Sequence, residues 1–166
     1  SRTPAPSGND SATIASLGRW INVGPTTIPG RVTGLARPAK RPNELLAAMA
    51  DGGAWRSRDN GLTWEPLSER EATLASGAIA ADPVDPETFY WGTGEGNGAI
   101  DNYGGIGVLR TQDGGRSWSR SNSFSGSFRG LTVNPHNRAE VWAAGDRLFR
   151  STDSGATWRC LWEYQS

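Results

Sequence analysis

The sequence predicts an all-β protein of about three four-stranded antiparallel units, on three observations. An eight-residue pattern occurs three times: Ser57-Arg58-Asp59-Asn60-Gly61-Leu62-Thr63-Trp64, Thr111-Gln112-Asp113-Gly114-Gly115-Arg116-Ser117-Trp118 and Ser151-Thr152-Asp153-Ser154-Gly155-Ala156-Thr157-Trp158. Short apolar runs, bounded by Gly, Pro, Asn or Asp and rich in β-branched and aromatic residues, precede each copy, as strands and turns require. No segment combines helical periodicity with caps. Recurrence at roughly 40–45 residues marks a repeat architecture.

The elements follow in order. In the first unit Val32-Thr33-Gly34-Leu35-Ala36 reads as a strand, Pro38 and Pro42 mark a turn, and Leu45 to Ala50 is a second strand. Asp51-Gly52-Gly53 then turns the chain into Ala54-Trp55-Arg56. The second unit gives Ala78 to Ala81, a turn at Pro83 and Pro86, Phe89-Tyr90-Trp91 and Val108-Leu109-Arg110. The third gives Gly130 to Val133, a turn at Asn134-Pro135, Val141 to Ala144 and Leu148-Phe149-Arg150. The second run of each unit is apolar almost throughout, which predicts a strand buried on both faces. A fourth strand, entered at Trp64, Trp118 or Trp158, completes a sheet of the β-propeller blade kind.

The repeated pattern falls where the third strand must turn into the fourth, and its residue types suit that place. Asp59, Asp113 and Asp153 can accept hydrogen bonds from nearby backbone N–H groups, and Gly61, Gly115 and Gly155 accept a positive φ. The flanking hydroxyls close further local bonds. Trp64, Trp118 and Trp158 supply large apolar bodies to fill the space between sheets, each with one N–H to satisfy. Turn geometry and packing account for the whole pattern, so these carboxylates read as structural rather than catalytic.

Composition excludes several classes. Seventeen basic and seventeen acidic side chains leave no net field to draw the chain to nucleic acid. No run approaches the roughly 20 apolar residues of a membrane span. Cys160 is the only cysteine, so no internal disulfide forms, and its setting between Arg159 and Leu161 predicts a small buried residue. The single histidine, His136, lies in a turn, and one His with one Cys does not make a zinc site. Residues 1–17 are rich in Ser, Pro, Ala and Gly without a signal-peptide core, and read as a flexible leader. The chain begins at Ser, as a processed or excised piece does. The remainder, 18–166, divides into blades at about 31–68, 76–121 and 128–164.

Blade topology sends the loops to two faces. The Asp-bearing turns share one face with the turns at Pro38, Pro83 and Pro135. From turn Pro to pattern Asp the chain runs 21 residues in the first unit, 30 in the second and 18 in the third. The excess falls between Gly94 and Gly105, on the opposite face. Long loops on rigid scaffolds carry binding, so Glu95, Asn97, Asp101, Asn102 and Tyr103 are the candidate ligand-binding residues, with Arg31 and Arg147 beside them on that face. Asp51, Phe128, Arg129 and Asp146 are neighbours there. Oxygen ligands at Glu95 and Asp101 offer a hard cation such as calcium a place, without EF-hand spacing; otherwise no cofactor is implied. Gly92-Thr93-Gly94-Glu95-Gly96 is not followed by a helix, so it does not make a dinucleotide loop.

The three patterns resemble the Asp-box, or bacterial neuraminidase, repeat of sialidases, xyloglucanase-type glycoside hydrolases, photosystem II assembly factors and sortilin-like proteins. Trp20-Ile21-Asn22-Val23-Gly24-Pro25 with Gly30-Arg31-Val32, and Trp91-Gly92-Thr93-Gly94-Glu95-Gly96-Asn97, are most similar to large bacterial sortilin-like proteins. The resemblance runs from about Gly18 to Tyr164 and implies a β-propeller outside the cytoplasm: secreted, periplasmic or at the cell surface. Sialidases begin with Arg-Ile-Pro, where this chain has Thr27-Ile28-Pro29. Xyloglucanase-type enzymes place a catalytic Asp in Asp-Ile-Gly-Gly, which Asp51-Gly52-Gly53 resembles without the Ile; their second acid lies in a later blade.

Propellers close with four to eight blades, so three blades imply a fragment, self-association or a protein partner that completes the ring. Trp20–Val23 reads as a strand for such a closing blade. Two functions follow. The favoured one is a non-catalytic extracytoplasmic module for protein or glycan binding or assembly. The alternative is a fragment of a carbohydrate-active glycoside hydrolase, xyloglucanase- or sialidase-like, with Asp51 as its one catalytic candidate.

Overall fold

The computed structural model describes residues 31–95, 104–121 and 125–163. They form twelve strands in three sheets, and no helix occurs among the described residues. The first sheet holds β1 (Val32–Ala36), β2 (Leu45–Met49), β3 (Gly53–Ser57) and β4 (Glu65–Pro66). The second holds β5 (Ser76–Ala81), β6 (Phe89–Thr93), β7 (Val108–Thr111) and β8 (Ser119–Arg120). The third holds β9 (Phe128–Val133), β10 (Val141–Gly145), β11 (Arg147–Ser151) and β12 (Arg159–Glu163). Each sheet is an antiparallel meander in chain order, and the inner strands β1, β5 and β9 lie side by side. The whole is three successive blades of a β-propeller. The leader at 1–17 and the segment Trp20–Val23 lie outside the described residues.

Strand alternation decides which blade each side chain meets. On β6, Phe89 and Trp91 point toward blade 1 and join Leu46, Ala48, Ala54, Ile79 and Leu109 in one buried cluster. Tyr90, between them, points the other way and packs with Val108, Phe128, Val141, Ala143 and Phe149 against blade 3. The middle blade is therefore covered on both sides, and every residue of β6 is buried. On β10, expected to be buried on both faces, Trp142 is half-buried and Ala144 exposed. The physical reason is that no described blade lies beyond the third sheet. Cys160 is likewise exposed rather than buried. It sits on β12, the outer edge of the last blade, with its thiol 3.4 Å from the Trp162 carbonyl.

The repeated turns are built alike. Asp59 Oδ1 accepts hydrogen bonds from Ser57 Oγ (2.8 Å) and the Thr63 N–H (2.8 Å), and Oδ2 accepts one from Thr63 Oγ1 (2.6 Å). Ser57 Oγ in turn accepts the Gly61 N–H at 2.7 Å. Asp113 makes the same set with Thr111 and Ser117, and Asp153 with Ser151 and Thr157. Two successive residues at positive φ reverse the chain: Asn60 and Gly61, Gly114 and Gly115, Ser154 and Gly155. Each turn also bonds the β1–β2-type turn of its own blade, as Asn60 N–H to Asn43 O, Gly114 N–H to Glu87 O and Ser154 N–H to Ala139 O. All six turns thus share one face.

Glycine at the turn is required by packing as well as by φ. A Cβ on Gly115 would stand 3.0 Å from the Leu67 methyls of blade 1, and one on Gly155 would stand 2.9 Å from the Tyr90 ring of blade 2. The second and third turns are thus pressed onto the preceding blade. The indole N–H of Trp118 crosses the same seam to the Leu67 carbonyl (2.9 Å), while Trp64 and Trp158 bond Gly61 and Gly155 carbonyls in their own turns. Ion pairs join the blades on this face: Arg41 to Glu87, and Arg138 Nε to both oxygens of buried Asp82 at 2.8 and 2.9 Å.

The turn bonds hold the Asp carboxylates ionised. Thr63 and Ser57 lower Asp59 to about 2, Thr157 and Ser151 lower Asp153 to about 2, and Asp113 lies well below the usual carboxylate range for the same reason. A carboxylate whose folded pKa is depressed stabilises the fold fully above its unfolded value, about 3.9, and stops doing so as pH falls through the folded value. Stability should therefore fall between about pH 4 and pH 2. Urea midpoints measured across that range should fall less steeply in an Asp153→Asn variant, which starts lower at pH 7; parallel curves would contradict this role for the carboxylate.

Candidate functional site

The face away from the Asp-bearing turns carries the exposed chemistry. Arg31, just before β1, forms an ion pair with Glu95, just after β6. The two sequence candidates thus meet across the seam between blades 1 and 2, with Glu95 only 8% exposed. Glu95 is held by its backbone as well: it bridges in parallel to Phe128, and Ile106 bridges to Gly126. Asn97, Asp101, Asn102 and Tyr103 lie outside the described residues.

The ends of the long second-blade loop are pinned. Buried Thr93 donates from Oγ1 to the Gly107 carbonyl (2.6 Å) and accepts the Ile106 N–H (2.8 Å), while the Gly94 N–H bonds Ala75 O at 2.9 Å. Backbone packing here is so close that the Phe128 carbonyl occupies the place a Cβ on Gly77 would need.

Two cavities open on this inner region. One, of about 430 Å³, is lined by Arg31, Val32, Thr33, Gly77 and Arg129, and so draws on the inner strands of all three blades. The other, of about 280 Å³, lies within blade 3 between the Ser125–Phe128 segment and Asp146, Arg147 and Phe149. Arg129 and Asp146 approach to 3.7 Å. Arg31 and Arg147 are therefore in separate cavities. Asp51 lines neither one; it is exposed in the β2–β3 turn closed by the Gly52 N–H to Met49 O bond. Its neighbour Ala50 donates to Arg31 O and accepts from the Ser76 N–H, which ties that turn to the Arg31 seam. Among the described residues Asp51 has no hydrogen-bond partner, in contrast to the three turn Asp side chains.

No group of three His, Cys, Asp or Glu side chains among the described residues is placed to hold a metal ion; Asp101, the second proposed calcium ligand, lies outside them. Among the described residues no helix is long and apolar enough to cross a membrane. Sequence reasoning did not find the small, polar wall of Ser125, Gly126 and Ser127, nor the pinning role of Thr93. Gly92 and Gly94, which lie against the Gly126–Phe128 segment, were the available signal, since glycines close in sequence mark close backbone approach.

No protein-family model matches the chain. A xyloglucanase of Paenibacillus is 30% identical over 156 residues, covering 84% of this chain and 15% of that protein. A xyloglucanase of Acetivibrio thermocellus is 32% identical over 134 residues, covering 69% of the chain and 16% of the relative. The chain thus spans about a sixth of these relatives. Among solved structures, an ancestral GH74 enzyme matches with a TM-score of 0.63 at 19% identity, over 77% of this chain and 18% of that one. The protein YCF48 bound to a D1 peptide matches with a TM-score of 0.56 at 19% identity, over 80% and 41%. These likenesses establish the fold as part of a propeller.

The Arg31–Glu95 pair has a measurable signature. Removing Arg31 leaves the buried Glu95 carboxyl group less compensated, whereas removing both partners does not. Arg31→Met should lower stability by about 1 kcal/mol relative to the Arg31→Met/Glu95→Gln double variant, Arg31's exposure keeping the cost below that of a fully buried pair. Chemical denaturation of the two reads this out, and equal midpoints would show that the pair is not coupled.

Proposed function

We propose that this chain is a three-blade segment of an extracytoplasmic, carbohydrate-active propeller of the glycoside hydrolase kind, its glycan surface on the face of Asp51, Arg31–Glu95 and Arg147. One observation carries the reading. The carboxylates of the repeated turns are consumed by hydrogen bonds on one face, while Asp51 stands exposed and unpartnered, among the described residues, on the other. Sequence likeness to two xyloglucanases over most of the chain supports a β-glucan such as xyloglucan as the substrate class. It moves the balance from the non-catalytic module toward the hydrolase. We read the thrice-repeated turn as an Asp-box, which the sialidase, xyloglucanase and sortilin-like resemblances share.

Glycoside hydrolysis needs two carboxyl groups flanking the scissile bond, about 5–9.5 Å apart depending on stereochemical outcome. Asp51, an exposed carboxyl group without a hydrogen-bond partner among the described residues, suits the role of base toward the attacking water or of nucleophile. Glu95 does not suit the complementary acid, because it is buried and engaged by Arg31. The acid therefore comes from a surface across the cleft, in another segment or another chain. Arg31, Arg129 and the backbone around Gly126 supply hydrogen-bond donors for sugar hydroxyls.

Calorimetric titration with xyloglucan oligosaccharides, run beside a hydrolysis assay of the natural full-length protein, tests the proposal. Asp51→Asn should reduce kcat by about a hundredfold or more while oligosaccharide affinity stays within about threefold. Wild-type turnover in that variant would overturn the catalytic assignment, and binding without any turnover in the parent would return the reading to a binding module.

A further inference from the structure

The turn that carries Asp51 is tied more tightly than a link between two strands requires. β2 ends at Met49 and β3 begins at Gly53, so Ala50, Asp51 and Gly52 form the connection. Blade 3 makes the same connection with Asp146 alone. The added length would leave Asp51 loosely placed if nothing held it. Both of its neighbours are held, each at its N–H and its carbonyl. The Ala50 N–H donates to Arg31 O and Ala50 O accepts from the Ser76 N–H, each at 2.8 Å. The Gly52 N–H donates to Met49 O at 3.2 Å, and Gly52 O accepts the Trp55 indole N–H at 2.6 Å.

The link from blade 1 to blade 2 holds the far end of the turn. β4 stops at Pro66, and the Leu67 N–H still donates to Ala54 O at 2.8 Å. Ser68 then carries the pairing one step further with its side chain, its Oγ accepting the Ala54 N–H at 2.8 Å. The Gly53 N–H donates to Leu74 O at 2.8 Å. Ser68 is buried, and a Cβ on Gly53, whose φ is 75°, would run into its Oγ. Asp51 is the exception in this frame, since its carboxyl group is exposed and makes no hydrogen bond among the described residues. Ordering a turn costs conformational entropy, and here the side chain that the frame holds in place gives no bond back to it.

We propose that Ser68 and Trp55 are positioning residues for Asp51. Ser68 fixes the first residues of β3 against the inter-blade link, and Trp55 fixes the carbonyl that directly follows Asp51. Neither touches the substrate; each acts through the backbone of the turn. A fixed frame around an unengaged carboxyl group suits catalysis, in which the reacting group must be held within about 0.5 Å by a supporting shell. The three turn Asp side chains on the other face show the opposite arrangement, because there the carboxylate itself makes the bonds that order the turn. The inference rests on the reading of Asp51 as a catalytic carboxyl group.

Hydrolysis of xyloglucan oligosaccharides by the natural full-length protein tests it, with kcat and KM measured separately beside denaturation midpoints. Ser68→Ala removes the acceptor for the Ala54 N–H, and Trp55→Phe keeps an aromatic ring but removes the donor to Gly52 O. Each should lower kcat by about tenfold or more with KM within about threefold, because a misplacement of about 1 Å costs up to about a hundredfold. Ser68→Thr, which keeps the hydroxyl, should recover most of the lost kcat. Asp153→Asn, which weakens the fold on the opposite face, should keep the wild-type kcat and so separates positioning from stability. Trp55→Phe carries the test if Ser68→Ala does not fold. Wild-type kcat in the Ser68 and Trp55 variants, with Asp51→Asn inactive, would overturn the positioning roles and leave the catalytic reading standing. An equal fall in Asp153→Asn would also overturn them. A wild type without turnover, or full turnover in Asp51→Asn, would overturn both.

Discussion

The carboxylate of Asp59, Asp113 or Asp153 binds a hydroxyl two residues before it and a hydroxyl and amide four residues after it. This closed ring of short bonds forces two consecutive residues to positive φ, which costs energy wherever a side chain is present. The reward lies outside the turn. At the second and third turns a glycine, Gly115 or Gly155, is presented bare of Cβ to an apolar side chain of the preceding blade, and Trp118 or Trp158 is set to fill the seam. Local hydrogen bonding is thereby converted into long-range packing, and the blades stack in one register.

The same ring of bonds divides the molecule chemically. A carboxylate that accepts three hydrogen bonds within its own turn and is held ionised to about pH 2 is a poor proton donor. The described connections on the opposite face carry no such lock. There the inner strands approach so closely that glycine is needed at Gly77, and side chains at the strand ends converge on a few points: Arg31 on Glu95, and Arg129 on Asp146.

Nearly all strands were legible, because each is a short apolar run stopped by Gly, Pro or Asp, and local chemistry alone sets those limits. The hydroxyl-Asp-Gly-hydroxyl-Trp turns were legible for the same reason. Burial was less so. Val141 to Ala144 looks as apolar as Leu45 to Ala50, yet Ala144 is exposed, since burial depends on the next blade rather than on the strand. Cys160 misled in the same way, lying on an edge strand. The convergence of Arg31 and Glu95, 64 residues apart, has no local signature; only the shared face could be read.

If the turns hold the blades together, they must open only when the blades do. Residue-resolved hydrogen exchange measures this at the amides of Gly61, Gly115 and Gly155, which donate to Ser57, Thr111 and Ser151 Oγ atoms. Gly115, at the covered seam of blades 1 and 2, should exchange with the same opening free energy as the amides of β6, deep in the middle blade. Exchange of Gly115 at the rate of an open surface turn, while β6 stays protected, would show that the turn decorates the seam and does not hold it.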